Sequence, residues 1–134
     1  MIDTIKAVLE NTQNRTPMAN IILAAGGTAI MAQDEREVEE ITSHAQALVL
    51  NMGAVRAQEA MLRAAKIARR NGNPVVLDPV AAGASTLRRE MCSRLLSENL
   101  VSVIRGNASE VRALAAGAEQ ETGVEASALD SVTE

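Results

Sequence analysis

Short apolar runs alternate with amphipathic stretches along most of the chain. The runs with the length of strands are residues 28–32, 47–51, 74–79 and 100–104. Helical spacing of apolar positions predicts helices over residues 1–12, 19–25, 35–44, 56–70, 87–96 and 109–115. Continuous apolar strands separated by helices are typical of a parallel sheet covered on both faces. We therefore predict an α/β protein, a three-layer α/β/α fold with a mainly parallel sheet.

The ends of the predicted helices carry ordinary start and stop signals. Asp34 opens one helix with acidic residues in its first turn, and Ser85 or Thr86 caps another. Gly26 and Gly27 read as a helix stop, since no lysine-serine pair or third glycine follows to make a phosphate loop. Residues 117–134 are small, acidic and polar, so we predict one domain over residues 1–116 followed by a tail or truncated continuation.

Composition narrows the class of protein. The hydrophobic fraction of 47% argues against global disorder, and the aromatic fraction of 0% predicts a thin core that partner subunits would support. A net charge of −4 and the lack of stacking rings argue against a nucleic-acid partner. The absence of a membrane-length apolar run or a signal peptide predicts a cytoplasmic protein without a membrane partner.

The lone cysteine and the lone histidine limit the chemistry. Cys92 has no partner for an intrachain disulfide, and a buried inert thiol is the more ordinary interpretation than a nucleophile. His44 alone excludes a histidine cluster or a histidine-based triad within one subunit. We place it at a solvated helix end.

Ligands of open α/β sheets bind at the carboxyl ends of strands, and four predicted strands end in candidate residues. Asp78 precedes Pro79 and the small loop 81–84, where a carboxylate could bind hydrated magnesium or merely cap a turn. The other ends are Met31, which could line a pocket or the core, the segment 51–53, and the segment 105–107.

The last of these segments offers phosphate chemistry. Arg105 presents a planar fork to phosphate oxygens, and Gly106 permits close backbone approach. Glu110 could be a second magnesium-linked carboxylate. The alternative is a helix start in which Asn107 or Ser109 is the cap and Glu110 is a first-turn acid.

Two stretches carry a family resemblance. NPVVLDPVAAGAS followed by an arginine, and then VIRGNASEVRALA, resemble signature stretches of the hydroxyethylthiazole kinase family. ANIILAAGGTAIMAQ and ALVLNMG match earlier blocks in the same order, so the resemblance covers residues 19–116. It implies a ribokinase-like fold and phosphorylation of the hydroxyl of 4-methyl-5-(2-hydroxyethyl)thiazole by ATP with Mg²⁺, in thiamine biosynthesis or salvage.

The same resemblance assigns roles to residues. It implies that Met31 contacts the thiazole, that Arg105 and Asn107 bind ATP, and that Asp78 and Glu110 lie near the magnesium and phosphates. It also implies a homotrimer with active sites between subunits.

The chain departs from the family pattern in two places. NRTPM joins the opening helix directly to the ANIILAAGG block, so we expect that the family's first strand has been lost there. The family's catalytic elements, including the cysteine or aspartate that activates the hydroxyl, are expected beyond residue 134, which leaves the catalytic residue unknown. An active kinase, a non-catalytic binding or oligomerisation remnant, and a fragment that needs a separately encoded second half therefore stay open.

Overall fold

The computed structural model describes residues 6–8, 15–32 and 34–121. Its strands are β1 (Lys6–Val8), β2 (Leu48–Asn51), β3 (Val75–Asp78) and β4 (Val103–Ile104). Its helices are α1 (Arg15–Ala24), α2 (Glu35–Ser43), α3 (Gln58–Arg70), α4 (Thr86–Ser97) and α5 (Ala108–Glu121). Two short 3₁₀ turns, Met52–Ala57 and Ala82–Ala84, follow β2 and β3.

The four strands form one sheet in the order β1-β2-β3-β4, and every neighbouring pair is parallel. Parallel neighbours require a crossover between strands, and helices supply it after β1, β2 and β3. All four carboxyl ends therefore lie at the same edge of the sheet. The predicted parallel α/β fold is confirmed.

Alternation along the strands gives the sheet two unlike faces. Leu48, Leu50, Val75 and Leu77 are all fully buried and belong to the same core cluster as α3. The intervening Val49 and Val76 point to the opposite face and are only half-buried.

Small side chains let α3 lie close to the first face of the sheet. The buried stripe of α3 is mostly alanine: Ala60, Ala64, Ala65 and Ala68 are each at most 1% exposed. The core is thus built from aliphatic and sulfur-containing side chains at close range, as the aromatic-free composition predicts.

Helix α1 ends as predicted but is less buried than predicted. Gly26 adopts φ of 85°, and the amides of Gly26 and Gly27 donate to the carbonyls of Leu23 and Ile22 at 3.0 Å each. This is the glycine-terminated helix end that satisfies otherwise free carbonyls. Ile22 is buried, but Ile21 is 69% and Leu23 55% exposed, so the predicted buried helix over residues 19–25 is wrong in its burial.

The structure corrects the prediction at the amino terminus. Lys6–Val8 is a strand rather than part of a helix, because it pairs in parallel register with Leu48–Leu50 of β2. Tertiary pairing here overrides a local helical pattern. A strand therefore does precede the ANIILAAGG block, and the remainder of the predicted helix lies outside the described residues.

Two further corrections concern a strand and a helix end. Residues 28–32 form no strand, and only Met31 makes an isolated bridge, since this link between α1 and α2 joins no ladder. Helix α5 continues to Glu121, five residues into the predicted tail, because an alanine- and glutamate-rich sequence favours helix. The division of the chain at residue 116 stays a prediction, and residues 122–134 lie outside the described ranges.

The remaining predicted elements are confirmed with small shifts in their bounds, except that only Val103–Ile104 of the predicted strand 100–104 is a strand. None of the helices in the described ranges is long and apolar enough to cross a membrane.

Candidate functional site

A row of three polar residues crosses the carboxyl ends of β2, β3 and β4. Asn51 is the register partner of Asp78, and the pairing of Leu77 with Ile104 brings Arg105 beside Asp78. Asp78 Oδ2 accepts from Arg105 Nη1 at 3.1 Å and from Asn51 Nδ2 at 3.4 Å. The structure thus brings together Asp78 and Arg105, two of the candidates predicted at strand ends, in an ion pair that the sequence did not predict.

Asp78 is a buried carboxyl group with an exposed partner. Its side chain is 7% exposed, whereas that of Arg105 is 78% exposed. Burial raises the pKa of Asp78 above its ordinary value, the Arg105 guanidinium lowers it, and the nearby negative charge of Glu110 raises it further. The negative charge of Asp78 is therefore incompletely compensated, and an additional cation would stabilise it.

Asn51 holds Asp78 from the other side and is a site residue that the sequence argument did not assign. Besides its bond to Asp78, Asn51 Oδ1 accepts from the Gly53 amide at 2.7 Å. The two bonds fix the orientation of the amide, so its donor group points at the carboxylate. Its position at a strand end was a usable signal. However, an uncharged amide in a sequence does not indicate one particular role, because it can cap a turn as readily as it can bind a ligand.

Asn107 and Glu110 form a reciprocal cap at the start of α5. Asn107 Oδ1 accepts from the Glu110 amide at 2.9 Å, and Glu110 Oε2 accepts from the Asn107 amide at 2.9 Å. The Ser109 hydroxyl also donates to Asn107 Oδ1 at 2.7 Å. This is the arrangement of a capping box, so the predicted helix start with Asn107 as its cap is confirmed. Roles in binding ATP or magnesium stay predictions.

Gly106 lies where the start of α5 packs closely against Pro79, the residue after β3. A Cβ atom at this position would lie 3.0 Å from Glu110 Oε2 and 3.3 Å from Pro79 Cγ. A side chain at this position would therefore require Glu110 or Pro79 to shift by a few tenths of an ångström.

Two arginines of α4 hold the loop that follows Asp78. Arg88 Nη1 donates to the Val80 carbonyl at 3.0 Å, and Arg89 Nη1 donates to the Gly83 carbonyl at 3.1 Å. Within this loop Ala81 has φ of 55°, a left-handed conformation that is uncommon for a residue with a side chain. The left-handed position of this loop is therefore occupied by an alanine rather than a glycine, and the arginine side chains of α4 stabilise the loop conformation.

Met31 is not part of this hydrogen-bonded group. It is half-buried in the link between α1 and α2. Its contact with a thiazole stays a prediction.

The donor set suits a magnesium ion that keeps most of its water. Across the described ranges no three histidine, cysteine or acidic side chains cluster as a ready-made metal cage. Magnesium in phosphoryl-transfer sites commonly uses one or two carboxylates together with substrate phosphates. Asp78 and Glu110, whose negative charge raises the pKa of Asp78, fit that more limited requirement.

A basic groove of about 510 Å³ lies elsewhere and shares no residue with the site. Its floor includes Ile67, and its rim carries cations of α3, namely Arg63, Lys66, Arg69 and Arg70. The carboxyl end of α3 leads back towards the start of β3, so this groove belongs to the opposite end of the sheet.

The lone histidine and cysteine are where the sequence predicts them. His44 is exposed at the end of α2, with Nδ1 2.9 Å from the Glu40 carbonyl oxygen. Cys92 is fully buried, and burial raises its pKa to about 12. Neither residue takes part in the polar row.

Fold and site together define a parallel α/β protein whose polar groups converge at the carboxyl ends of its strands. The hydroxyethylthiazole kinase family model matches residues 5–133, and the chain belongs to that family. It is 43% identical to a hydroxyethylthiazole kinase of Clostridium acetobutylicum, with 96% of this chain and 52% of the relative covered. It is 50% identical to one of Desulfovibrio desulfuricans, with 87% and 41% covered.

A solved structure gives the same result. The hydroxyethylthiazole kinase of Pyrococcus horikoshii superposes with a TM-score of 0.78 at 36% identity, over 87% of this chain and 47% of that one. The ribokinase-like fold is thereby confirmed. The chain spans about half the length of the relatives it matches.

Proposed function

We propose that this chain forms the nucleotide-phosphate side of a hydroxyethylthiazole kinase site and supports ATP-dependent phosphorylation of 4-methyl-5-(2-hydroxyethyl)thiazole. The observation that carries the proposal is the polar row Asn51, Asp78 and Arg105 at the carboxyl ends of three adjacent strands. Family membership supplies the reaction class.

The role proposed for Arg105 follows from its exposure. Its guanidinium is 78% exposed and makes one bond to Asp78, so most of its donors are available to phosphate oxygens. Phosphoryl transfer depends chiefly on positioning and charge neutralisation, and an arginine fork serves both. Asp78 anchors the arginine, and Asn51 anchors Asp78.

We propose that Asp78 and Glu110 hold Mg²⁺ through its water ligands. When bound, the ion neutralises charge on the transferred phosphoryl group. The ion would also stabilise the ionised carboxylate of Asp78, which burial destabilises. Glu110 would keep its bond to the Asn107 amide through one carboxylate oxygen, which leaves the other available.

The proposal extends to features outside the polar row. Met31 contacts the thiazole ring, Asn107 contributes to ATP binding through the start of α5, and the protein works in the cytoplasm as a homotrimer. Its partners are the small-molecule substrate and ATP, without nucleic acid or membrane.

The test is to incubate the purified chain with ATP, Mg²⁺ and hydroxyethylthiazole and to measure thiazole phosphate by mass spectrometry. We expect product, and we expect Asp78→Asn and Arg105→Ala to lower its rate by about a hundredfold or more. Arg70→Ala is the matched control, since Arg70 is an exposed arginine at the other end of the sheet. Its rate should stay within about twofold of the unchanged chain.

A binding module without catalysis is the second candidate, since the polar row accounts for phosphate binding and charge neutralisation alone. Calorimetric titration with ATP and Mg²⁺ separates the two. ATP affinity that falls in Arg105→Ala, with no thiazole phosphate formed, would support the module. Absence of both ATP binding and product in folded protein would contradict the proposed site itself.

A further inference from the structure

The basic groove gathers positive charge in a chain whose net charge is negative. Arg63, Lys66, Arg69 and Arg70 of α3 line it, and Glu39 of α2 is the acidic residue among its described lining. The whole chain carries a formal charge of −4. Because like charges at helical spacing repel each other, the cluster costs the isolated helix some stability.

Structural roles account for most of these cations but not for Arg63. Arg69 and Arg70 lie in the last turn of α3, where positive charge interacts favourably with the helix dipole. Lys66 Nζ lies 2.9 Å from Glu98 Oε2. Arg63 is exposed in the middle of the helix, and its side chain has no hydrogen-bond or ion-pair partner in the described ranges. Its guanidinium is therefore available to a ligand.

The apolar floor of the groove lies below these charged side chains. Ile67 and Leu100 form it and are only 6% and 7% exposed. A recessed apolar surface can contact a small body that enters the groove, but it cannot insert into a membrane. It also presents far less area than the roughly 800 Å² that each partner of a stable protein complex needs. The groove volume of about 510 Å³ is instead in the range of small-molecule sites.

The charge of the groove indicates the kind of small molecule. Its four cations face two carboxylates, those of Glu39 and of Glu98 beside Lys66, which leaves two positive charges in excess. A phosphate monoester carries about two negative charges at neutral pH, and arginine pairs well with phosphate oxygens. A carboxylate would balance one charge alone.

We infer that the basic groove is a second binding site, which takes a small phosphate monoester with an apolar body. The apolar body rests on Ile67 and Leu100, and the phosphate contacts Arg63 and Lys66, which are neighbours on the helix surface. The site lies at the end of the sheet opposite to the polar row. The inference rests on the groove alone and not on the proposed function.

The experiment titrates the nitrogen-15-labelled chain with phenyl phosphate and follows its amide resonances. We expect shifts over residues 63–70 and at Leu100 that saturate with a dissociation constant below about 1 mM. Inorganic phosphate lacks the apolar body, and benzoate has the ring but a single negative charge. Each should bind the groove at least about fivefold more weakly than phenyl phosphate.

Matched variants separate the groove from general charge attraction and from the polar row. Arg63→Glu should weaken binding of phenyl phosphate by at least about tenfold. Arg112→Glu makes the same change of charge at an exposed arginine of α5 outside the groove, and it should bind within about twofold. Arg105→Ala alters the polar row and should leave the groove titration unchanged. Because Arg63 and Arg112 are exposed, their variants should keep the melting temperature of the chain nearly unchanged by circular dichroism.

Three results would overturn the inference. The first is the absence of shifts over residues 63–70 at about 10 mM phenyl phosphate. The second is equal affinity for inorganic phosphate, which would show attraction to surface charge alone. The third is a titration that Arg63→Glu leaves intact or that Arg105→Ala abolishes, since the ligand would then bind elsewhere. Loss of ATP binding with an intact groove titration would contradict the proposed function and not this inference.

Discussion

The buried polar residues of the described ranges differ in whether their side chains have hydrogen-bond partners. These residues are Thr42, Asn51 and Asp78. Asn51 has both ends of its amide bonded, and Asp78 has an arginine and an amide as donors. Thr42 Oγ1 finds no hydrogen-bond partner in the described part of the chain. Two of these residues lead to measurable predictions at the residue scale.

The raised pKa of Asp78 predicts a pH dependence of stability. Because burial raises the pKa of the folded state above the ordinary 3.8, ionisation costs folding free energy. The stability of the folded chain relative to Asp78→Asn should therefore be greatest below that ordinary value and fall as pH rises through the raised pKa. Urea unfolding of both proteins between about pH 3 and about pH 7 measures this.

Asp34 provides a control of opposite sign. Its bonds from the Arg36 side chain and amide lower its pKa, so its contribution is present above the ordinary value and is lost as pH falls. The comparison with Asp34→Asn should thus trend the other way. Parallel trends in the two comparisons would contradict the assignment for Asp78.

The buried hydroxyl of Thr42 predicts a stabilising substitution. Valine has nearly the same shape, and it removes a buried oxygen that lacks a partner. We expect Thr42→Val to raise the free energy of unfolding by about 1 kcal/mol in urea titrations. Thr86→Val is the control, because Thr86 is exposed and accepts from Arg89 at 3.1 Å, and it should not stabilise. A loss of stability in Thr42→Val would show that the hydroxyl has a partner.

At this scale the sequence predicted that Asp78 and Arg105 follow strands at the ligand-binding edge, but it predicted neither their ion pair nor the role of Asn51. Charged residues at adjacent strand ends have a recognisable chemistry, whereas an amide can cap, fill or bind. Only the register of β2 against β3 shows that Asn51 faces the carboxylate. Met31 lies in the link between α1 and α2 and not at a strand end, and its contact with a thiazole stays a prediction.

At the scale of elements, Asn107 at the start of α5 caps the helix, and it is also proposed to bind ATP; a substitution distinguishes these two roles. Removing its side chain in Asn107→Ala should lower the free energy of unfolding by about 1 kcal/mol, because the Glu110 amide loses its acceptor. Asn107→Ser is the control and should keep most of the stability, since serine caps helices well. Unchanged stability in Asn107→Ala together with weaker ATP binding would assign Asn107 to the ligand instead.

The elements that the sequence predicted well are those with their own local signals. Helix α2 has its Asp34 cap, α3 has a sustained apolar stripe, and β3 is an apolar run that ends before a proline. The prediction at β1 was wrong because its pairing with β2 is a long-range interaction, which here outweighs a local helical pattern. The strand predicted over residues 28–32 was wrong because an apolar run does not by itself show whether a neighbouring strand is available to pair with it.

At the scale of the whole molecule, Cys92 reports on global unfolding. Its thiol is fully buried in the core cluster, and burial raises its pKa to about 12. We expect a thiol reagent to react with the native chain only at the rate of unfolding, and at once in concentrated urea. Ser97→Cys adds an exposed thiol on the same helix and should react immediately.

The raised pKa of Cys92 also predicts that the free energy of unfolding decreases at alkaline pH. The pKa of the thiol is 9.0 in the unfolded chain and about 12 in the folded chain, so stability should fall as pH rises from the lower value towards the upper one. Rapid reaction of Cys92 in native protein at neutral pH would contradict the burial on which both expectations depend.

The polar row takes one residue from the end of each of three strands, so it exists only while β2, β3 and β4 are paired in register. A ligand that binds the row therefore binds the folded chain and not the unfolded one. Its binding free energy adds to the stability of the sheet, and the melting temperature rises with the logarithm of the ligand concentration.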